Sequence, residues 1–181
     1  MSKTRSAGVV RKVVATKAGD APIAKAGNVP VIDLERYVPA LITFIANKLS
    51  RSATALYQRR FRVNVTEWRI LVLLKIEPGI PAARICQVIG FDKGPVSRTL
   101  SVMQERELVT IKTDPKDGRT HSISLAPKGR EIHDQIIGIA LDRERRLLSC
   151  LSAAEQEVLI NLLGRVHGNL AAVTEHPENR E

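Results

Sequence analysis

The sequence predicts a mainly α-helical fold that carries one small β-hairpin. Three observations predict it. Apolar residues recur at helical spacing through most of residues 34–170. Pro and Gly break the stretch 61–108 into short helical segments. The apolar period then switches from 3.6 to 2 across residues 109–125. A chain of 181 residues suggests one domain with room for a tail or a second small module. Hydrophobic residues make up 44% but aromatics only 3%, so a core must be packed by Leu, Ile, Val and Ala.

Residues 1–30 are rich in Ala, Lys, Gly and Val without helical or alternating period, and read as a disordered basic tail. Asp33 is a candidate N-cap for a first helix. Leu34, Val38, Leu41, Ile45, Leu49 and Leu56 fall near one face of that helix, which reaches about Arg60. Pro39 either kinks this helix or marks its true start. Thr66 is the expected cap of a second, nearly all-apolar and therefore buried helix, Glu67–Ile76, stopped by Pro78-Gly79. Pro81 opens a short third helix with Ile85, Cys86 and Ile89 inward, and Gly90 ends it. Asp92 caps the fourth, whose inner stripe is Val96, Leu100 and Met103.

Val109, Ile111 and Thr113, then His121, Ile123 and Leu125, alternate with more polar neighbours. The turn-rich Asp114-Pro-Lys-Asp-Gly118 lies between the two runs, so together they form a hairpin. Pro127 restarts helix, with Ile132, Ile136, Ile139, Ala140 and Leu147 as its apolar stripe. Ser152-x-x-Glu155 is a capping box for the last helix. That helix turns Val158, Leu159, Leu162, Leu163, Val166 and Leu170 inward, and residues 176–181 look frayed.

The formal net charge is +9. Lys and Arg against Asp and Glu count 6 to 1 in residues 1–30, 14 to 7 in 59–130, and 5 to 9 in 131–181. The excess therefore sits in the tail and the middle, as a polyanion-binding protein requires. Cys86 and Cys150 lie far apart in apolar helical patterns and read as small hydrophobes. His121, His133, His167 and His176 are scattered, so no metal site is expected. No glycine-rich phosphate loop, nucleophile elbow or carboxylate pair with a histidine at suggestive spacing appears; no catalytic residue and no cofactor are expected. No apolar run reaches the roughly 18 residues of a membrane span, and no secretory leader is apparent, so a cytoplasmic protein is expected.

Two short helices joined by a tight Gly turn and followed by a hairpin make the order of a winged helix-turn-helix, here over residues 61–126. A helix of that kind fits the major groove of double-stranded DNA and meets base edges with its N-terminal half. The inner stripe leaves Lys93, Ser97, Arg98 and Ser101 outward; Arg98 lies about 200° around the helix from Val96. The hairpin loop offers Lys116 and Arg119 to the minor groove or its phosphates. The helices of residues 31–60 and 127–175 are long and amply apolar. They read as a dimerisation frame, with an intrachain bundle as the alternative.

These motifs resemble those of the MarR family of bacterial regulators. The resemblance spans roughly residues 34–170. It is strongest in Asp92-Lys-Gly-Pro-Val-Ser-Arg98-Thr-Leu, in Leu108-Val109, and in Asp114-Pro-Lys-Asp117-Gly118-Arg119. The family's wing commonly reads Asp-x-Arg-Asp-x-Arg, so Lys116 replaces an arginine. Leu125-Ala-Pro-Lys-Gly-Arg130 resembles the start of its long fifth helix, and Leu151-Ser-Ala-Ala-Glu155 the start of its sixth. Glu107 stands where a glycine is frequent. The resemblance implies a homodimer reading a pseudo-palindrome, and a repressor released by a small aromatic or anionic effector. Tyr37, Tyr57 and Trp68 are the candidate lining of the effector cleft. A sequence-neutral architectural DNA-binding protein remains the alternative, distinguished by the ratio of specific to non-specific affinity.

Overall fold

A computed structural model describes residues 21–26, 29–113 and 121–174, and the chain divides into two units, up to Val65 and from Thr66 onward. In the first unit, β1 (Ile23–Ala26) and β2 (Val29–Ile32) pair antiparallel, with Ile23 opposite Ile32 and Ala26 opposite Val29. The sequence reading expected no regular element here, and the hairpin corrects it. Ile23, Val29, Val31 and Ile32 are β-branched and favour strand. Gly27-Asn28 is a dipeptide of hairpin-turn type that the surrounding Ala and Lys obscured. Pro30 is tolerated because each strand of a two-stranded ribbon is an edge.

Asp33 closes the hairpin and begins the next element. Its N–H donates to the Pro22 carbonyl (2.8 Å), its carboxylate accepts the Glu35 N–H (3.0 Å), and its carbonyl accepts the Tyr37 N–H (2.8 Å). It thus caps a single turn ahead of the helix rather than the helix itself. α1 (Val38–Phe61) starts beyond it, with Pro39 in the first turn, where a missing N–H costs nothing. Pro39 therefore marks a start and not a kink. Arg62 ends α1 in the left-handed region, at φ 58°.

α2 (Val65–Ile76) starts one residue before the expected Thr66 cap, and the Val65 N–H is taken by Thr54 Oγ1 at 3.2 Å. Its Ile70, Leu71, Leu73 and Leu74 are buried, as its continuous apolar sequence requires. α3 (Ala82–Ile89) follows Pro81 and stops at Gly90, whose φ of 70° suits glycine alone at low cost. α4 (Lys93–Glu105) follows Asp92 and buries Val96, Leu100 and Met103. β3 (Val109–Thr113) and β4 (His121–Leu125) pair with Val109 opposite Leu125 and Thr113 opposite His121. The turn after α2 joins them: the Gly79 N–H donates to the Ile123 carbonyl, and the Ile123 N–H to Ile80.

α5 (Pro127–Leu147) buries Gly129, His133 and Ile136, while Leu147 is exposed, unlike the stripe read from sequence. α6 (Ala153–Gly168) carries the predicted capping box: Ser152 accepts from the Glu155 N–H and Glu155 from the Ser152 N–H. Gly168-Asn169 ends it before Leu170, and the short α7 (Ala171–Thr174) follows. The expected fraying at 176–181 lies outside the described residues. Ile70, Leu71, Leu74, Ile85, Val96, Met103, Leu108, Ile123 and Ile136 are fully buried and form the aliphatic core.

Candidate nucleic-acid interface

The interface is built on α4. Its stripe of Val96, Leu100 and Met103 is sealed, so the opposite face is held toward solvent. Lys93, Ser97, Arg98 and Ser101 are all exposed on α4, and the structure brings these four together. The Arg98 guanidinium lies back over Gly94, 3.6 Å from where a β-carbon on Gly94 would stand. That is ordinary van der Waals distance, so the guanidinium rests beside the first turn of α4 without depending on the glycine. The Ser101 hydroxyl donates to the Ser97 carbonyl (3.1 Å), which leaves its oxygen to accept. Among the described residues Lys93 and Arg98 make no ion pair. The wing residues Lys116 and Arg119 lie outside the described residues. The base of their hairpin is fixed by the β3–β4 register and by Thr113 Oγ1 and His121 Nδ1 at 3.3 Å.

Polar ties that sequence reasoning missed hold α4 and its neighbours. Arg106, just past α4, donates to the buried Glu67 carboxylate of α2 at 2.6 Å. Two Arg84 N–H groups grip the two oxygens of Glu77 at 2.9 Å each, and that bond holds the Glu77 carboxyl below the usual carboxylate range. The partners are 39 and 7 residues apart, spacings that no local pattern marks. The turn into β3 runs through Glu107 at φ 61°.

A second cluster joins α2 to α5. The Trp68 and His133 rings stack with centroids 5.4 Å apart. His133 Nδ1 and Lys75 Nζ meet the same Asp134 oxygen at 2.8 and 2.9 Å. Hydrogen bonds from His133 and then Lys75 keep the Asp134 carboxyl low. Trp68, Arg69, Val72, Ile76 and Val88 line an open cleft of about 400 Å³. Of the other expected cleft residues, Tyr37 precedes α1 and is half-buried, and Tyr57 is buried within α1. Among the described residues no three His, Cys, Asp or Glu side chains gather as a metal site, and no helix is long and apolar enough to cross a membrane.

A helix presenting cations and hydroxyls behind a sealed stripe, followed by a two-stranded hairpin, defines a winged-helix DNA-binding protein. Residues 63–120 match the MarR family. A MarR/EmrR family transcriptional regulator from Acinetobacter sp. ADP1 is 30% identical, over 78% of this chain and 99% of that one, with a TM-score of 0.73. The chain belongs to the MarR family of transcriptional regulators. The PcaV regulator from Streptomyces coelicolor, solved with its natural ligand, is 25% identical over 76% of this chain and 96% of its own, with a TM-score of 0.62. MepR of S. aureus, solved with DNA, shares the fold at 21% identity, over 75% of this chain and 97% of its own, with a TM-score of 0.67.

Proposed function

We propose that the protein is a homodimeric, sequence-specific repressor of the cytoplasm that leaves DNA when a small aromatic or anionic effector binds. Lys93, Ser97, Arg98 and Ser101 enter the major groove, while Lys116 and Arg119 reach the minor groove or its phosphates. The observation that carries this reading is the exposed face of α4, polar and without ion pairs among the described residues, behind a stripe that is 0–3% exposed. The region 61–126 acts as the reading domain, with 31–60 and 127–175 as the dimer frame. In support of the frame, α6 buries no residue within one chain, Val158, Leu162 and Val166 stand exposed on it, and Leu170 stands exposed just beyond it. A second copy covers them at a two-fold interface. Effector release draws support from the ligand-bound Streptomyces relative and from the Trp68 cleft, with Tyr37 and Tyr57 as further candidates.

The test is to select bound fragments from genomic DNA and compare affinity for the selected site and for unrelated DNA. Arg98→Ala should cost about 1–3 kcal/mol on the selected site and far less on unrelated DNA. An unchanged operator affinity with an intact fold overturns the assignment of Arg98. A specificity ratio near one in the parent protein favours the architectural alternative.

A further inference from the structure

We propose that the β1–β2 hairpin is a dimerisation arm, seated on a second copy of this chain. The inference rests on the homodimer reading and adds to it an element outside the helical frame. Two-stranded hairpins are marginal in water unless a third element covers them. The second strand of this one is apolar on both sides. Val29 and Val31 alternate with Pro30 and Ile32, so they face opposite ways, and Ile23 pairs with Ile32. Ile23, Val29, Val31 and Ile32 are 40–62% exposed, and all four residues of β2 are uncharged and exposed. The hairpin's one charged residue is Lys25 of β1, opposite Pro30, so the exposed surface of β2 suits an apolar occupant better than phosphate.

Continuity identifies the occupant. The hairpin does not hang on a free linker. Asp33, 6% exposed, bonds to Pro22 at the base of the hairpin and, two ways, to the turn leading into α1. Directly after that turn begins the exposed apolar run of α1: Val38, Leu41, Ile42, Phe44, Ile45 and Leu49. Leu34, between hairpin and helix in the chain, is exposed too. Exposed apolar residues thus recur along the chain from β1 into the helix proposed for the dimer frame. A partner that covers the helix meets the arm as well. Two-fold symmetry doubles the effect, because each copy contributes one arm and covers one.

The experiment compares the full chain, a chain lacking residues 2–20, and a chain lacking residues 2–32, with the dimer dissociation constant read by sedimentation over a dilution series. A fourth protein, Val29→Thr/Val31→Thr, keeps strand propensity but removes apolar area, and so guards against misfolding of the truncated chain. Loss of residues 2–20 should leave the constant within about threefold. Loss of residues 2–32 should raise it roughly 10- to 100-fold, and the double substitution by about tenfold. The backbone amides of Val29, Val31 and Ile32 should lose hydrogen-exchange protection as the full chain is diluted to monomer. A parent dimer whose constant ignores both hairpin changes overturns the arm and leaves the dimer standing. A parent that is monomeric at every concentration overturns the dimer reading and the arm with it.

Discussion

Glu107 occupies a position that glycine should hold better, and replacing it tests the backbone account of the turn that ends the reading helix. Its φ is 61°, one of two positive values at non-glycine residues among those described. The turn around it is tightly bonded: its N–H donates to the Gln104 carbonyl at 2.9 Å, and the next N–H, of Leu108, to Met103 at 2.8 Å. Leu108 and Val109 then plunge into the core, at 0% and 2% exposure. The conformation is thus imposed from both sides. An L side chain held in the left-handed region costs about 1–2 kcal/mol. Glu107→Gly removes that cost but gives back about 0.4–1 kcal/mol through the freer unfolded chain. It also loses the pair with Lys128, 3.9 Å long between side chains 80% and 54% exposed, which contributes about 0.5 kcal/mol at most.

The net for Glu107→Gly is therefore small, roughly 0–1 kcal/mol of stabilisation. The decisive comparison is between Gly and Ala at the same site, because both lack the ion pair. Gly should exceed Ala by about 1 kcal/mol at 107, which is roughly 2–4 °C in Tm for a chain of this size. At Gln104, exposed within α4, the order should invert, with Ala better by about 1 kcal/mol. Urea unfolding followed by circular dichroism, with equal m-values across the set, gives both differences. If Ala equals or exceeds Gly at 107, the strain argument is wrong.

Two further outcomes follow from the same geometry. Gly129→Ala should destabilise by at least about 1–3 kcal/mol, because the new β-carbon would stand against the Leu108 carbonyl, 2.9 Å from its carbon, where only backbone can give way; thermal unfolding near that of the parent would show that the α5–β3 junction yields. Stability should fall as pH drops below about 4, since the depressed Asp134, Asp142, Glu77 and Glu155 carboxyls favour the folded state above their unfolded values and lose that contribution on protonation. Asp134→Asn should flatten that acid limb, and an unaltered limb would remove Asp134 from the account.

Where one local rule governs, the sequence was readable. The stripe Val96, Leu100, Met103, the stop at Gly90, the capping box at Ser152 and the alternation in β3 and β4 each depend on neighbours within a turn or a strand. Residues whose role depends on tertiary distance were not readable. Glu67 is a first-turn acid of α2, yet it is buried with Arg106 against it, and His133 sits in the core with Trp68 of another helix stacked on it. The hairpin at 23–32 was missed for a different reason, since its short strands sit in a Lys- and Ala-rich stretch that dilutes their period. For the interface, the face of α4 was legible from 100° steps alone. The packing that seats it, through Arg106 and Gly129, was not.

Charge shows the same division, and it changes what the basic composition means. Residues 59–130 carry 14 cations, a number that suggests a broad phosphate-binding surface. The structure divides them by partner. Arg84, Arg106 and Lys75 each lie within 2.9 Å of a carboxylate, whereas Lys93 and Arg98 have no ion pair among the described residues. A cation already neutralised by a carboxylate releases few counterions from DNA. Arg84→Gln and Lys93→Gln make a matched pair, since each removes one positive charge. If net charge governs binding, the two should reduce the salt slope of DNA affinity equally. If pairing governs it, Lys93→Gln should lower the slope by about 1 and Arg84→Gln by well under half as much. Equal slopes would refute the division by partner, and the whole basic surface, paired and unpaired alike, would then have to count as footprint.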